Sequence, residues 1–199
     1  MTAEPRGRGR RPGGPDTRGE ILAAARRSFA EKGFGGTTIR AVAGEAGVDP
    51  ALVHHYFGAK DDLFLAALQI PIDPRALVPT IFAPGVEGAG ERLLRVFFSV
   101  WDDPHTRLPL IALVRASLLQ ETPESLLQQG ILRMLLTPMR AALAPDEADR
   151  RVELVVSQMV GLVVTRYLIA LEPLASMPAE ELIAAVAPTL QRYLDGPLP

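Results

Sequence analysis

The sequence predicts an all-α protein of nine helices in two parts, and three observations carry that prediction. Apolar residues recur at helical spacing in nine segments, with no convincing alternation of the kind a strand shows. Capping residues and helix-starting prolines bracket several of those segments. Past Leu68 the chain enters a stretch holding Pro71, Pro74, Pro79, Pro84, Gly85, Gly88 and Gly90, which separates a short first part from a longer second one.

The first helix opens at Thr17, which with Glu20 makes a T-x-x-E capping box ahead of Ile21, Leu22, Ala25, Ser28 and Phe29. That stripe ends at Gly33, and Phe29 and Phe34 read as core. Thr37 is the expected cap of the second helix, Val42 and Ala46 share one of its faces, and Gly47 breaks it sharply. Asp49 caps the third, with Pro50 at the first helical position, where a missing N–H costs nothing. Leu52 or Val53, with Phe57, would hold this helix to the core. Ala51, His54, His55 and Tyr56 are left on or beside its outer face, Gly58 closes it and Lys60 follows. Two short helices around a glycine turn form a helix-turn-helix, a device for docking on DNA.

The same residues resemble the DNA-binding domain of the TetR family of bacterial transcription regulators. The family pattern TT[IV]xxIAxxAGVSxGxLYxHFxxKxxL stands here as Thr37, Thr38, Ile39, Val42, Ala43, Ala46, Gly47, Val48, Ala51, Val53, Tyr56, Phe57, Lys60 and Leu63. So many matches at fixed spacing are far more specific than a short motif. Asp49 replaces the usual Ser, His54 the usual Tyr, Tyr56 the usual His and Ala59 the usual Ser. The first three keep capping or hydrogen-bonding capacity, whereas Ala59 loses a cap that Asp61 and Asp62 partly replace through the helix dipole.

Beyond the helix-turn-helix, a fourth helix of about Asp61 to Gln69 should give way to a loop with at most a short helical turn, because of the prolines. Five more helices are expected: Gly90 to Asp102, Thr106 to Gln120, Pro123 to Leu143, Glu147 to Leu171 and Pro178 to Leu194. Thr122 and Asp146 are expected caps, Pro173 the stop of the penultimate helix, and Pro138 and Pro188 sites of kinks. The count of nine matches the TetR architecture, and Ser157 to Ala175 looks like the penultimate helix of one TetR subgroup. The resemblance therefore implies a three-helix DNA-binding domain over 16–62 and a helical effector-binding and dimerisation domain over 63–199, after a basic arm over 1–15.

Charge agrees with that division. The net charge of −2 hides a surplus of four positive charges through Lys60 and a deficit of six beyond it. Positive charge thus gathers where phosphates would be met. Much of it lies in Arg6, Arg8, Arg10 and Arg11, spaced by glycines in a segment unable to bury apolar surface and so expected to be disordered. Arg6, Gly7 and Arg8 resemble the core of an AT-hook, although Gly9 stands where the hook has Pro. The arm reads either as a minor-groove hook or as a solvated basic tail that raises non-specific affinity.

The candidate DNA-binding set is that arm with Thr37, Thr38, Arg40, Asp49, Pro50, Ala51, Leu52, His54, His55, Tyr56 and Lys60. Pro50, Ala51 and Leu52 offer no bidentate base contact, so base reading would rest on thymine methyls while the histidines, Tyr56 and Lys60 grip phosphates. Adjacent His54 and His55 point about 100° apart and lack Cys companions, which argues against a metal site. Neither a Gly-rich phosphate loop, a G-x-S-x-G nor an H-E-x-x-H is present, so neither an enzyme nor a cofactor is expected. Absence of cysteine suits a cytoplasmic location, and the lack of an apolar signal region or a long apolar run argues against secretion and membrane insertion.

In the second part, Leu94, Phe97, Phe98 and Trp101 suggest an aromatic wall, Met134 and Met159 adaptable fillers, and Ser117, Gln158 and Tyr167 polar contacts for a small apolar effector. Ordinary core packing competes with that reading at every one of them. Arg166 would serve an acidic ligand or a salt bridge at the dimer interface. Val152, Val155, Met159, Val163 and Arg166 run along one side of the penultimate helix, and Val156, Val160, Tyr167 and Leu171 along another. A helix apolar on two sides must bury both, one in its own domain and one against a partner, which suits the homodimer interface that the resemblance implies for the last two helices. The resemblance implies a ligand-responsive, homodimeric repressor on a palindromic operator in double-stranded DNA. An architectural DNA-binding protein, or a regulator without a small-molecule ligand, is the alternative.

Overall fold

The computed structural model describes residues 16–70, 72–118 and 127–198, except the side chains of 116–118, 127–129 and 145. The basic arm, Thr122 and Pro123 lie outside those residues. Ten α-helices and no strand occur among the described residues. They fall into two compact units, residues 1–67 and 68–199, with the division five residues after the one expected from the sequence.

The first unit contains α1 (Thr17–Gly36), α2 (Ile39–Ala46), α3 (Pro50–Phe57) and α4 (Lys60–Ala67). Asp16, not Thr17, caps α1, its carboxylate accepting from the Gly19 N–H at 3.1 Å. Gly33 interrupts α1 at φ 66°, a conformation only glycine takes without strain. Phe29, Phe34 and Phe64 meet in the core, Phe64 standing edge-on to Phe29 and Phe34 at 4.9 and 5.1 Å between centroids. The Arg26 Nε–H donates to the Ala67 carbonyl at 2.7 Å and so holds the last turn of α4.

In the second unit, α5 (Pro74–Phe82) stands where a loop was expected. Its start repeats the Asp-Pro signature of α3: Asp73 accepts from the Arg75 N–H at 2.9 Å and Pro74 takes the first turn, where no donor is needed. Pro79 forfeits one internal hydrogen bond, and burial of Val78 and Ile81 offsets that loss. Next come α6 (Ala89–Trp101), α7 (Pro104–Leu118), a π-helical turn (Leu127–Leu132) running into α8 (Arg133–Ala141), α9 (Ala148–Leu162) and α10 (Ala179–Asp195). Pro138 and Pro188 sit inside α8 and α10, as expected.

Helices α6 and α10 touch at Gly90, where a Cβ would lie 2.8 Å from the Ala187 carbonyl oxygen. Gln191 fixes this contact: its amide accepts from the Gly90 N–H and donates to the Val86 carbonyl, each at 3.0 Å. The end of α9 departs from expectation. A π-helical turn (Val163–Leu168) follows it, and the chain leaves the helix five residues before Pro173. One Arg166 nitrogen donates to the carbonyls of Leu174 and Met177 at 2.7 and 2.8 Å, which folds the following segment back on the helix end.

Candidate nucleic-acid interface and apolar cavity

Thr38, rather than Thr37, caps α2, accepting from the Ala41 N–H at 3.1 Å. Thr37 is fully buried, donating to the Gly33 carbonyl at 2.8 Å and lying 3.2 Å from the Ser28 hydroxyl. It holds the end of α1 and presents nothing to DNA, which corrects its place among the candidate contacts. Gly47 ends α2 in the left-handed region at φ 67°, turning the chain toward Asp49, whose carboxylate accepts from the Ala51 N–H at 2.8 Å. Val53 and Phe57 anchor α3 in the core, while Leu52 is half-buried.

The outward side of α3 carries Ala51, His54, His55 and Tyr56, all exposed, and Arg40 and Thr38 of the preceding helix and its cap are exposed too. Pro50 is half-buried and Asp49 exposed. The His54 imidazole lies 2.9 Å from the Gly58 carbonyl through Nδ1, so Nδ1 carries the proton and Nε2 is left for another partner. His55 stands edge-on to Tyr56 at 5.6 Å. Asp62 replaces the missing cap of α4 directly: its carboxylate accepts from the Ala59 N–H at 2.9 Å, the returning half of a capping box. Lys60 is half-buried, its ammonium 4.4 Å from the centre of the Phe34 ring, so it departs from the exposed group the sequence suggests.

The second unit encloses a cavity of about 220 Å³ between α5, α6, α7, α8 and α9. Phe97, Trp101 and Met159 line it, and so do Leu77 and Val78 of α5 and Leu110, Leu113 and Val114 of α7, which sequence reasoning missed. Leu94, Phe98 and Met134 are instead buried core residues off its wall, and Gln158, Arg166 and Tyr167 also stand off it. The Ser117 side chain lies outside the described part. A signal for the missed wall existed in the Asp73-Pro74 cap.

Tyr167 stacks on Trp101 at 5.4 Å and donates its hydroxyl to Asp102 at 2.8 Å. Burial, followed by that hydrogen bond to Asp102, pushes the phenol above its ordinary pKa of 10, so it remains a donor. Arg166 keeps 9% of its side chain exposed and lies 3.6 Å from Asp102, its guanidinium over the rings of Phe98 and Tyr167 at 5.4 and 5.5 Å. One of its nitrogens bonds two carbonyls of its own chain, and the side chain stands off the cavity wall that the sequence reading gave it.

A helix-turn-helix with its third helix facing outward, joined to an all-helical second unit, defines a DNA-binding transcriptional regulator. Residues 87–194 match the family model described as "Tetracyclin repressor-like, C-terminal domain", and residues 21–67 that of "Bacterial regulatory proteins, tetR family". The chain belongs to the TetR family, a class of regulators and not of enzymes. A crystal structure of a TetR-family regulator from Streptomyces coelicolor A3 is 36% identical, with 94% of this chain and 98% of that one covered and a TM-score of 0.53. The HTH-type transcriptional regulator BetI of Brucella anthropi is 47% identical over 55 residues, 28% of either chain. HbdR of Aromatoleum sp. (strain CIB) is 33% identical over 87 residues, 43% of this chain and 36% of that relative. Each alignment thus spans well under two thirds of the curated relative's length.

Proposed function

We propose that this protein is a ligand-responsive repressor that acts as a homodimer on a palindromic operator. The observation that carries the reading is the apolar cavity in the unit that follows the DNA-binding one. Ile70, three residues after the end of α4, belongs to its wall. A ligand that prefers one shape of that wall can act on α4 through the connecting chain, by no more than its differential affinity for the two states.

Val160 of α9, 44% open, and Ile169 and Leu171 of the segment that follows its π-helical turn, 63% and 53% open, are exposed apolar side chains that a second copy would cover. Two α3 helices about 34 to 36 Å apart would then enter successive major grooves. Ala51 and Leu52 would meet thymine methyls, while Thr38, Arg40, His54, His55 and Tyr56 hold phosphates, with the basic arm adding non-specific affinity. No described helix is long and apolar enough to cross a membrane, and a cytoplasmic site of action belongs to the same proposal, since that is where the operator would be met.

The test is operator footprinting with genomic fragments selected by the full-length protein, with and without a cavity ligand. Replacing His54 and Tyr56 together by alanine should weaken operator binding roughly a hundredfold while lowering thermal stability only slightly, because both are exposed and the hydrogen bond lost is that of His54 to the Gly58 carbonyl. Operator affinity that does not change at saturating ligand would remove the ligand response. A specific-to-non-specific affinity ratio near unity would replace the repressor with an architectural DNA-binding protein.

A further inference from the structure

The described wall of the cavity limits what can enter it. Every described side chain on its wall is aliphatic, proline, methionine or aromatic, and Trp101 alone among them carries an N–H. Two charged groups beside its aromatic end are already committed, and a third, Arg107, lies over the Tyr167 ring at 5.9 Å and off the cavity wall. Asp102 accepts from Tyr167 and faces Arg166, and Arg166 in turn holds the carbonyls of Leu174 and Met177. The Arg166 Nε–H, buried without a partner among the described residues, belongs to a side chain that stands off the cavity wall. A carboxylate or ammonium entering the cavity would lose its hydration and gain no described counter-charge.

Size sets a second limit. A dry apolar cavity of about 150 Å³ accepts benzene. At about 220 Å³ this one has room for on the order of ten non-hydrogen atoms on the same scale.

Resting on the reading of this cavity as the effector site, we infer that the effector is an uncharged, hydrocarbon-like molecule of that size, such as an alkyl-substituted aromatic ring. Acids and amines of the same shape are refused. The preference is a consequence of the wall chemistry, since no single residue has to recognise a functional group.

The chain contains one tryptophan, Trp101, and it lies in the cavity wall, so its fluorescence reports occupancy. Full-length protein would be titrated with n-butylbenzene, with 3-phenylpropylammonium, which exchanges a terminal methyl for an ammonium, and with 3-phenylpropanoate. The hydrocarbon should change Trp101 emission and raise the melting temperature, whereas both ions should bind roughly a hundredfold more weakly. Val114→Phe, which adds volume at a half-buried wall position, should lose the hydrocarbon response.

Binding of either ion within tenfold of n-butylbenzene would overturn the inference, and tight 3-phenylpropanoate binding would assign the Arg166 Nε–H to the ligand. No response to n-butylbenzene up to its solubility limit would overturn it too. Operator affinity measured on the same samples separates the two readings. Selective n-butylbenzene binding with unchanged operator affinity keeps the ligand class and removes the ligand response.

Discussion

In the first unit, the four helix starts are held from close by. Asp16, Thr38, Asp49 and Asp62 each bond a backbone N–H two or three residues away. In the second unit, two decisive ends are held from afar: Gln191 of α10 secures the start of α6 across 101 residues, and Arg166 collects carbonyls eight and eleven residues further on. A local cap can be found by inspection of four residues. A distant one depends on where another helix has already been placed, so the DNA-binding unit is readable from its sequence to a degree the second unit is not.

The largest effect that could break this comparison lies at Arg166. Replacing it with methionine keeps much of its packing against Phe98 and Tyr167 but leaves the Leu174 and Met177 carbonyls without their donor. A loss of about 3 kcal/mol is expected. Amide exchange should quicken through 163–178 and remain slow in α1 to α4. Equal loss of protection in α1 to α4 would show that the second unit's distant bonds also hold the first.

How much was legible follows the same division. Gly47, Asp49, Pro50, Val53, Phe57 and Gly58 take the parts their identities suggest, because a left-handed turn, an N-cap and a helix start each call for particular side chains. The caps of α1 and α2 each sit one residue from the expected position, since Asp16 and Thr17, like Thr37 and Thr38, both carry a side-chain oxygen able to cap and the pattern does not say which one the backbone places to do so. Helix α5 was missed because its prolines were read as breakers, although Asp73-Pro74 repeats Asp49-Pro50. With it went a wall of the cavity. Leu94, Phe98 and Met134 could not be told from Phe97, Trp101 and Met159 by residue type, because core and cavity wall are built from the same side chains.

A smaller effect sharpens the comparison at Asp49. Asp49→Ala removes the Ala51 N–H bond and should cost about 1 kcal/mol, confined to α3. Operator affinity should fall with it, because Ala51 and Leu52 follow directly on that cap. Trp101 emission in the second unit should stay as it is. If denaturant unfolding showed no loss while operator binding collapsed, Asp49 would be a DNA contact and not a cap.

The smallest effect tests a local cap in the second unit, of the kind Asp103 repeats at the start of α7 by accepting from the His105 N–H at 2.9 Å. Hydrogen bonding from the Arg75 side chain holds the Asp73 carboxyl below its ordinary pKa of 3.8, against a weaker opposing effect of burial. A depressed folded-state pKa means the stabilisation is present above the unfolded-state value and disappears as pH falls through the folded-state one. The start of α5 should therefore loosen only below about pH 4. With 40% of the Asp73 side chain exposed, solvent screening keeps the contribution below about 1 kcal/mol. Asn caps helices as well as Asp but does not titrate, so Asp73→Asn should preserve α5 at neutral pH and abolish its acid response. The Arg75 amide proton, bonded to Asp73 at 2.9 Å, is the direct reporter by NMR. Its chemical shift should titrate between pH 5 and about pH 2 in the wild type and stay flat in the variant. An unchanged titration in Asp73→Asn would mean that another carboxylate governs this end of the cavity wall, and the likeness between Asp73-Pro74 and Asp49-Pro50 would then be one of sequence only.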